Sequence, residues 1–106
     1  MLVARAPGIM IALLATYALS AQAAIDCSRA TTNVDRLLCS SERAAAAEER
    51  MAYAFRAAVR RGIAPNQLRS TQTQWKSEIR DRCNDVDCLT NAYDQRTIEL
   101  DSLAPQ

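Results

Sequence analysis

Apolar positions recur near the end of the chain at Val86, Leu89, Tyr93, Leu100 and Leu103, with the long amphipathic Arg96 among them. The steps alternate three and four, the spacing of one helical face. A second series, Leu68, Gln72, Trp75, Ile79 and Cys83, keeps the same rhythm. It predicts a helix from Pro65 to about Arg82, with the proline in the first turn, where its missing N–H would be unpaired anyway. Upstream, Ala47, Met51, Phe55, Ala58 and Val59 share a stripe that Glu48, Glu49, Arg56 and Arg60 largely avoid, and Tyr53 lies away from it. That stripe predicts a long helix from about Ser41 to Arg61, stopped by Gly62, which suits a left-handed C-terminal residue. Within it, Ala44 to Ala47 favours helix by propensity alone. A shorter helix should begin at Asn33, with Thr32 as N-cap and Asp35 at capping-box spacing, and carry Val34, Leu37 and Leu38 to Cys39. No segment alternates with the period of two that a half-buried strand requires. The expected fold is all-α: a small disulfide-linked helical bundle of one short and three longer helices.

The first residues change how much of the chain belongs to that bundle. A single charge, Arg5, precedes an apolar run from Ile9 to Leu19, and Ala21-Gln22-Ala23 ends the segment. This is the pattern of a secretory signal peptide spanning 1–23, and its apolar run is short of the ~20 residues that cross a bilayer. The expected mature domain, 24–106, has no cysteine directly after a small-residue box, so a lipid anchor is not expected and the protein should be periplasmic or secreted. Its acidic and basic side chains nearly balance, and its arginines are scattered among acids, which argues against nucleic acid as a partner.

All four cysteines, Cys27, Cys39, Cys83 and Cys88, fall in the exported part, where an oxidising compartment favours two disulfides. In so small a domain such cross-links stabilise by on the order of 2 to 4 kcal/mol each. Three pairings are open. The sequence-local pairs, Cys27 with Cys39 and Cys83 with Cys88, are preferred because each closes a short loop. A zinc site is disfavoured, since the chain has no histidine and no paired C-x2-C. No cofactor is expected.

The residues offer little to a catalyst. There is no histidine to act as a base, no nucleophile-elbow pattern around any serine, and only Gly8 and Gly62 with which to build a phosphate loop. The expected function class is therefore binding rather than catalysis. The bend between the last two helices is the densest polar cluster: Arg80, Asp81, Arg82, Asp85 and Asp87 surround the Cys83 and Cys88 pair. The aspartates could face a basic partner, or they could serve as helix caps, where acids near an N-terminus are favoured. Arg96 must snorkel outward or meet a carboxylate from another helix, which makes it a candidate structural clamp beside Trp75 and Tyr93.

One ordered set of residues resembles a known family. Asp26-Cys27 is followed by Cys39, Tyr53, Trp75, Arg82-Cys83 and Cys88-Leu89, and then by Tyr93-x-x-Arg96-x-x-x-Leu100. This order is similar to that of the LprI-like lysozyme-inhibitor family of small exported bacterial domains, and it covers nearly the whole expected mature chain. The resemblance implies a helical disulfide-linked domain that binds and inhibits lysozyme, protecting peptidoglycan. Unlike the family's namesake, this chain is not expected to carry a lipid anchor, and Arg43 and Ala47 stand where leucine-rich positions would be expected. A different class of function, an acid-stress chaperone-like protein or an envelope interaction module without lysozyme activity, is the competing expectation. Its carboxylates would lose charge near their ordinary pKa values of about 4 and loosen the fold.

Overall fold

Side-chain oxygens fix where three helices begin. Thr32 Oγ1 accepts from the Asp35 N–H at 3.0 Å and opens α1 (Asn33–Ser40). Ser41 Oγ accepts from Ala44 N–H at 3.1 Å and opens α2 (Glu42–Arg60), and Asp85 Oδ1 accepts from Cys88 N–H at 2.8 Å and opens α4 (Val86–Asp101). Each bond satisfies one of the orphan amides of a first turn. Between these lies α3 (Pro65–Glu78), which starts on its proline without a side-chain cap. The computed structural model describes residues 25–105. The expected signal segment, 1–23, lies outside the described residues.

α2 ends on a Schellman motif. Gly62, at φ 91°, donates to Val59 O, while Ile63 donates to Ala58 O and buries its side chain. Only glycine takes that left-handed backbone without cost, so Gly62 turns the chain back into α3.

α2 and α4 run parallel and form the most extensive contact between elements. Ala44, Ala47, Met51, Ala54 and Ala58 are the buried positions of α2, at steps of three and four. Their small side chains let the helix axes approach and receive Leu89, Tyr93 and Leu100 from α4. Ion pairs Arg43–Asp87 and Arg50–Asp94 flank the seam with the same sequence offset of 44, so the two helices rise in step. At the top, Arg61 donates to the carbonyls of Leu100 and Leu103 at 2.8 and 3.0 Å and satisfies the end of α4. α3 returns antiparallel and seats Leu68, Gln72 and Trp75 on this pair. The Trp75 and Tyr93 rings meet with centroids 5.5 Å apart at 54°.

The disulfides join Cys27 to Cys39 and Cys83 to Cys88, with Cα atoms 5.7 and 5.4 Å apart. Together with the four helices they make the disulfide-linked all-α bundle expected from the sequence, and no strand occurs among the described residues. Asn33 Nδ2 donates to Cys83 O at 2.8 Å, so the start of α1 is fastened to the second disulfide.

Three expectations about faces and ends need correction. The third helix stops at Glu78, short of Arg82, and a single 3-10 turn, Arg80–Arg82, follows it. Here Arg82 and Cys83 donate to carbonyls three residues back, tightening the chain so that buried Cys83 turns toward Cys88. The apolar stripe of α2 is rotated from the expected one. Ala44 and Ala54 join it, Phe55 is only half-buried, and Val59 is exposed, because the parallel partner demands small side chains at the contact. Ile79, expected on the inner face of the third helix, is 51% exposed, since the helix ends before it.

Candidate functional site

α3 stands away from α2 because large side chains, Trp75 among them, fill the space between it and the α2–α4 pair. An open cleft of about 280 Å³ results along the α2–α3 groove, lined by Met51, Ala52 and Phe55 on its apolar side and by Gln72 and Tyr93 toward the core. Two rows of residues at steps of four face each other across it. Glu48, Ala52 and Arg56 come from α2, and Gln72, Lys76 and Arg80 run from α3 into the following turn. Such i, i+4 rows lie along one helical edge. Three cationic side chains therefore confront one carboxylate.

Arg96 holds the inner wall. Its Nε donates to Gln72 Oε1 at 2.8 Å and its Nη2 to Thr71 Oγ1 at 3.0 Å, while Nη1 reaches Glu99 of its own helix at 3.2 Å. Neither expected alternative, snorkelling outward or a carboxylate from another helix, describes Arg96. Across the interface the guanidinium meets neutral oxygens, and its carboxylate lies one turn further along α4, at the solvent edge. Gln72 in turn donates to Met51 Sδ at 3.1 Å, so a chain of polar contacts runs from α4 through α3 to α2. Gln72 thus lies inside the bundle, 8% exposed, while it still contributes to the cleft lining.

Tyr93 lies at the floor, 1% exposed. Its hydroxyl has no hydrogen-bond partner among the described residues. Burial pushes its pKa up to about 12, against the pull of the Arg80 guanidinium and with a further push from Glu48. Both of these neighbours line the cleft, so the hydroxyl end of the ring is the end turned toward it. Arg80 lies near the hydroxyl, but its well-formed bond is from Nε to Asp81 Oδ1 at 2.8 Å. Burial lowers the Arg80 pKa, and the Asp81 bond together with the facing Tyr93 more than reverses this, so the guanidinium stays charged. Glu48 is raised above its ordinary value, first by burial and then by Glu49, although Arg80, Lys76 and Arg56 oppose the shift.

The residues singled out at the bend have mostly local employment. Asp85 is the N-cap of α4, Asp81 pairs with Arg80, and Asp87 pairs with Arg43 of α2. Arg82 is exposed and makes no ion pair among the described residues. The structure brings Arg80 into the cleft and leaves Arg82, Asp85 and Asp87 on the outside of the disulfide-framed bend. Sequence reasoning did not single out Glu48, Arg56 or Lys76 as a site. The signal was present in the two charged i, i+4 rows, each bordering an apolar stripe, but the pairing of the rows depends on how α3 turns against α2.

Among the described residues no three side chains of histidine, cysteine, aspartate or glutamate gather as a metal would need, and every cysteine is in a disulfide. No helix among them is long and apolar enough to cross a membrane. Comparison with known proteins found no matching family model, no similar curated protein and no similar solved structure.

Proposed function

We propose that this is an exported, non-catalytic binding domain of the LprI-like kind that blocks a lysozyme-class hydrolase and so protects peptidoglycan. The observation that carries the reading is the commitment of charges at the bend. Asp81, Asp85 and Asp87 are engaged as partners or caps, and Arg82, next to the Cys83–Cys88 disulfide, is the bend's exposed cation without an ion-pair partner among the described residues. An arginine beside a disulfide-restrained backbone is suited to a groove that contains a catalytic carboxylate pair, because the planar guanidinium bonds carboxylates bidentately and the backbone that carries it is already ordered. The cysteine order that resembles the family supports the same reading. The aspartates, by contrast, contribute less to the contact than their number in the sequence suggests.

The test is a titration of the mature protein into lysozymes of different classes at neutral pH, beside an aggregation-suppression assay at about pH 3, where carboxylates are protonated. Saturable inhibition that Arg82→Ala weakens and the triple change of Asp81, Asp85 and Asp87 to Asn largely spares supports the reading. Aggregation suppression without inhibition of any lysozyme class replaces it with the acid-stress reading.

A further inference from the structure

The α2–α3 cleft combines features that the bend does not. It is concave, its mouth is cationic, one wall is apolar, and its floor holds a hydroxyl with no partner. A buried hydroxyl left unpaired is costly, and such a group in a native structure calls for an explanation. Thr90 Oγ1 is also buried without a partner among the described residues, but Thr90 does not line this cleft. Arg56 and Lys76 form no ion pair among the described residues, and Arg80 keeps its charge. Arg56 and Lys76 therefore face Glu48 alone within the cleft, while Arg80 is paired with Asp81 beside it.

We infer that this cleft binds a small carboxylate carried on an apolar body, with the anion between Arg80, Lys76 and Arg56, the body against Met51 and Phe55, and the Tyr93 hydroxyl donating to the bound anion. The size agrees. A space of about 280 Å³ lies just below the usual range of ligand cavities, which suits a single ring or short chain with its head group. The chemistry agrees as well. Six of the nine lining side chains carry polar groups, and those that converge are donors, apart from Glu48 and the Gln72 oxygen already used by Arg96. Glu48 acts against the ligand as a like charge within the same cleft. This inference does not rest on a hydrolase: the cleft and the bend share Arg80, but Arg82 lies outside the cleft.

The probe is 3-phenylpropionate, titrated calorimetrically into the mature protein, with 3-phenylpropanamide, acetate and N-acetylglutamate amide as comparisons. The propionate should bind saturably, and the amide and acetate at least about tenfold more weakly, the cost of one lost charge-assisted bond or of the lost apolar contact. The glutamate derivative tests whether a protein side chain's carboxylate suffices, and it should also be weak. Arg56→Gln with Lys76→Gln, both exposed, should weaken binding by about tenfold without altering circular dichroism, and raised salt should weaken the wild type in the same direction. Tyr93→Phe keeps the ring and should lose a few-fold in affinity, whereas Glu48→Gln should gain. That gain is a readout that a merely structural cleft would not give. Absence of saturable binding below about 10 mM, equal affinity for acid and amide, equal affinity for the glutamate derivative, or a double variant that binds like wild type overturns the inference.

Discussion

The α2–α4 seam and the seat of α3 solve the same packing problem in different ways. Along the seam, alanines at positions 44, 47, 54 and 58 let two parallel helices close on Leu89 and Leu100, and ion pairs flank the contact. The seat of α3 is built from long side chains instead: Trp75 on Tyr93, and Arg96 on Gln72 and Thr71. Small residues leave no room between helices, whereas large and polar ones hold a helix at a distance and leave grooves beside it. Both the cleft and the disulfide-framed bend lie at α3 or its end. The seam is therefore the closely packed part of the bundle, and the α3 side is where the grooves lie and where binding is proposed.

The contrast is broken most severely at Trp75. Trp75→Ala should cost about 3 to 5 kcal/mol in urea unfolding, a large part of the stability of a domain this small, because no neighbour can collapse into the gap between α3 and α4. An opposite change tests the seam. Ala54→Leu should cost about 1 to 3 kcal/mol through overpacking, while the same enlargement at exposed Ala46 should be nearly neutral. A seam that accepts leucine at 54 without loss is not closely packed.

The sequence made the seam harder to read than the seat. Trp75, Leu68, Gln72 and Tyr93 announce themselves by size and by steps of three and four, and the caps at Thr32, Ser41 and Asp85 follow from side-chain chemistry that acts within one turn. Alanine carries no such signal. It favours helix whether it faces solvent or a partner, so Ala44 and Ala54 could be added to the contact face of α2 only once its partner was known, and the expected stripe shared Ala47, Met51 and Ala58 with the buried one but leaned toward half-buried Phe55 and exposed Val59. The end of α3 was hidden for a related reason. Ile79 fits the periodic pattern, but the need to turn Cys83 toward Cys88 overrides it. The cleft was the least legible feature, since its two charged rows are ordinary solvated edges until the helices are brought together.

Arg96 sharpens the comparison at intermediate size. Arg96→Met should cost about 1 to 3 kcal/mol, because the buried Gln72 oxygen loses its donor. Paired with Gln72→Met, the second change should cost less than it does alone, and a double-mutant cycle measures that coupling. Additive losses would show that the polar clamp does not act as a unit.

Alkaline titration probes the floor of the same region. Tyr93 is raised from 10.0 to about 12 in the folded protein. Its contribution to stability is complete below the unfolded value and is lost as pH rises through the window between those two values, because the unfolded chain releases the proton first. Thermal melts between about pH 9 and 12 should fall more steeply for wild type than for Tyr93→Phe. Glu48 has the same sign at the acid end. Raised in the fold, its ionisation costs stability, so Glu48→Gln should melt slightly higher than wild type at neutral pH, with the difference gone below the carboxylate's ordinary value of 4.5. The smallest effect belongs to the seam's surface. Exchanging the charges of Arg50 and Asp94 should shift stability by less than about 1 kcal/mol, since both side chains are largely solvated.

The central claim, that α3 with its bend forms the binding face and the α2–α4 seam the scaffold, is tested most directly by amide chemical-shift mapping of the labelled mature protein titrated with lysozymes of different classes. The account predicts saturable shifts confined to the Arg80–Arg82 turn, the start of α4 and the adjoining end of α3, with the outward face of α2 around Tyr53 and Arg60 unmoved. Shifts centred on that outward face of α2, or no saturable shift with any lysozyme class, would contradict it.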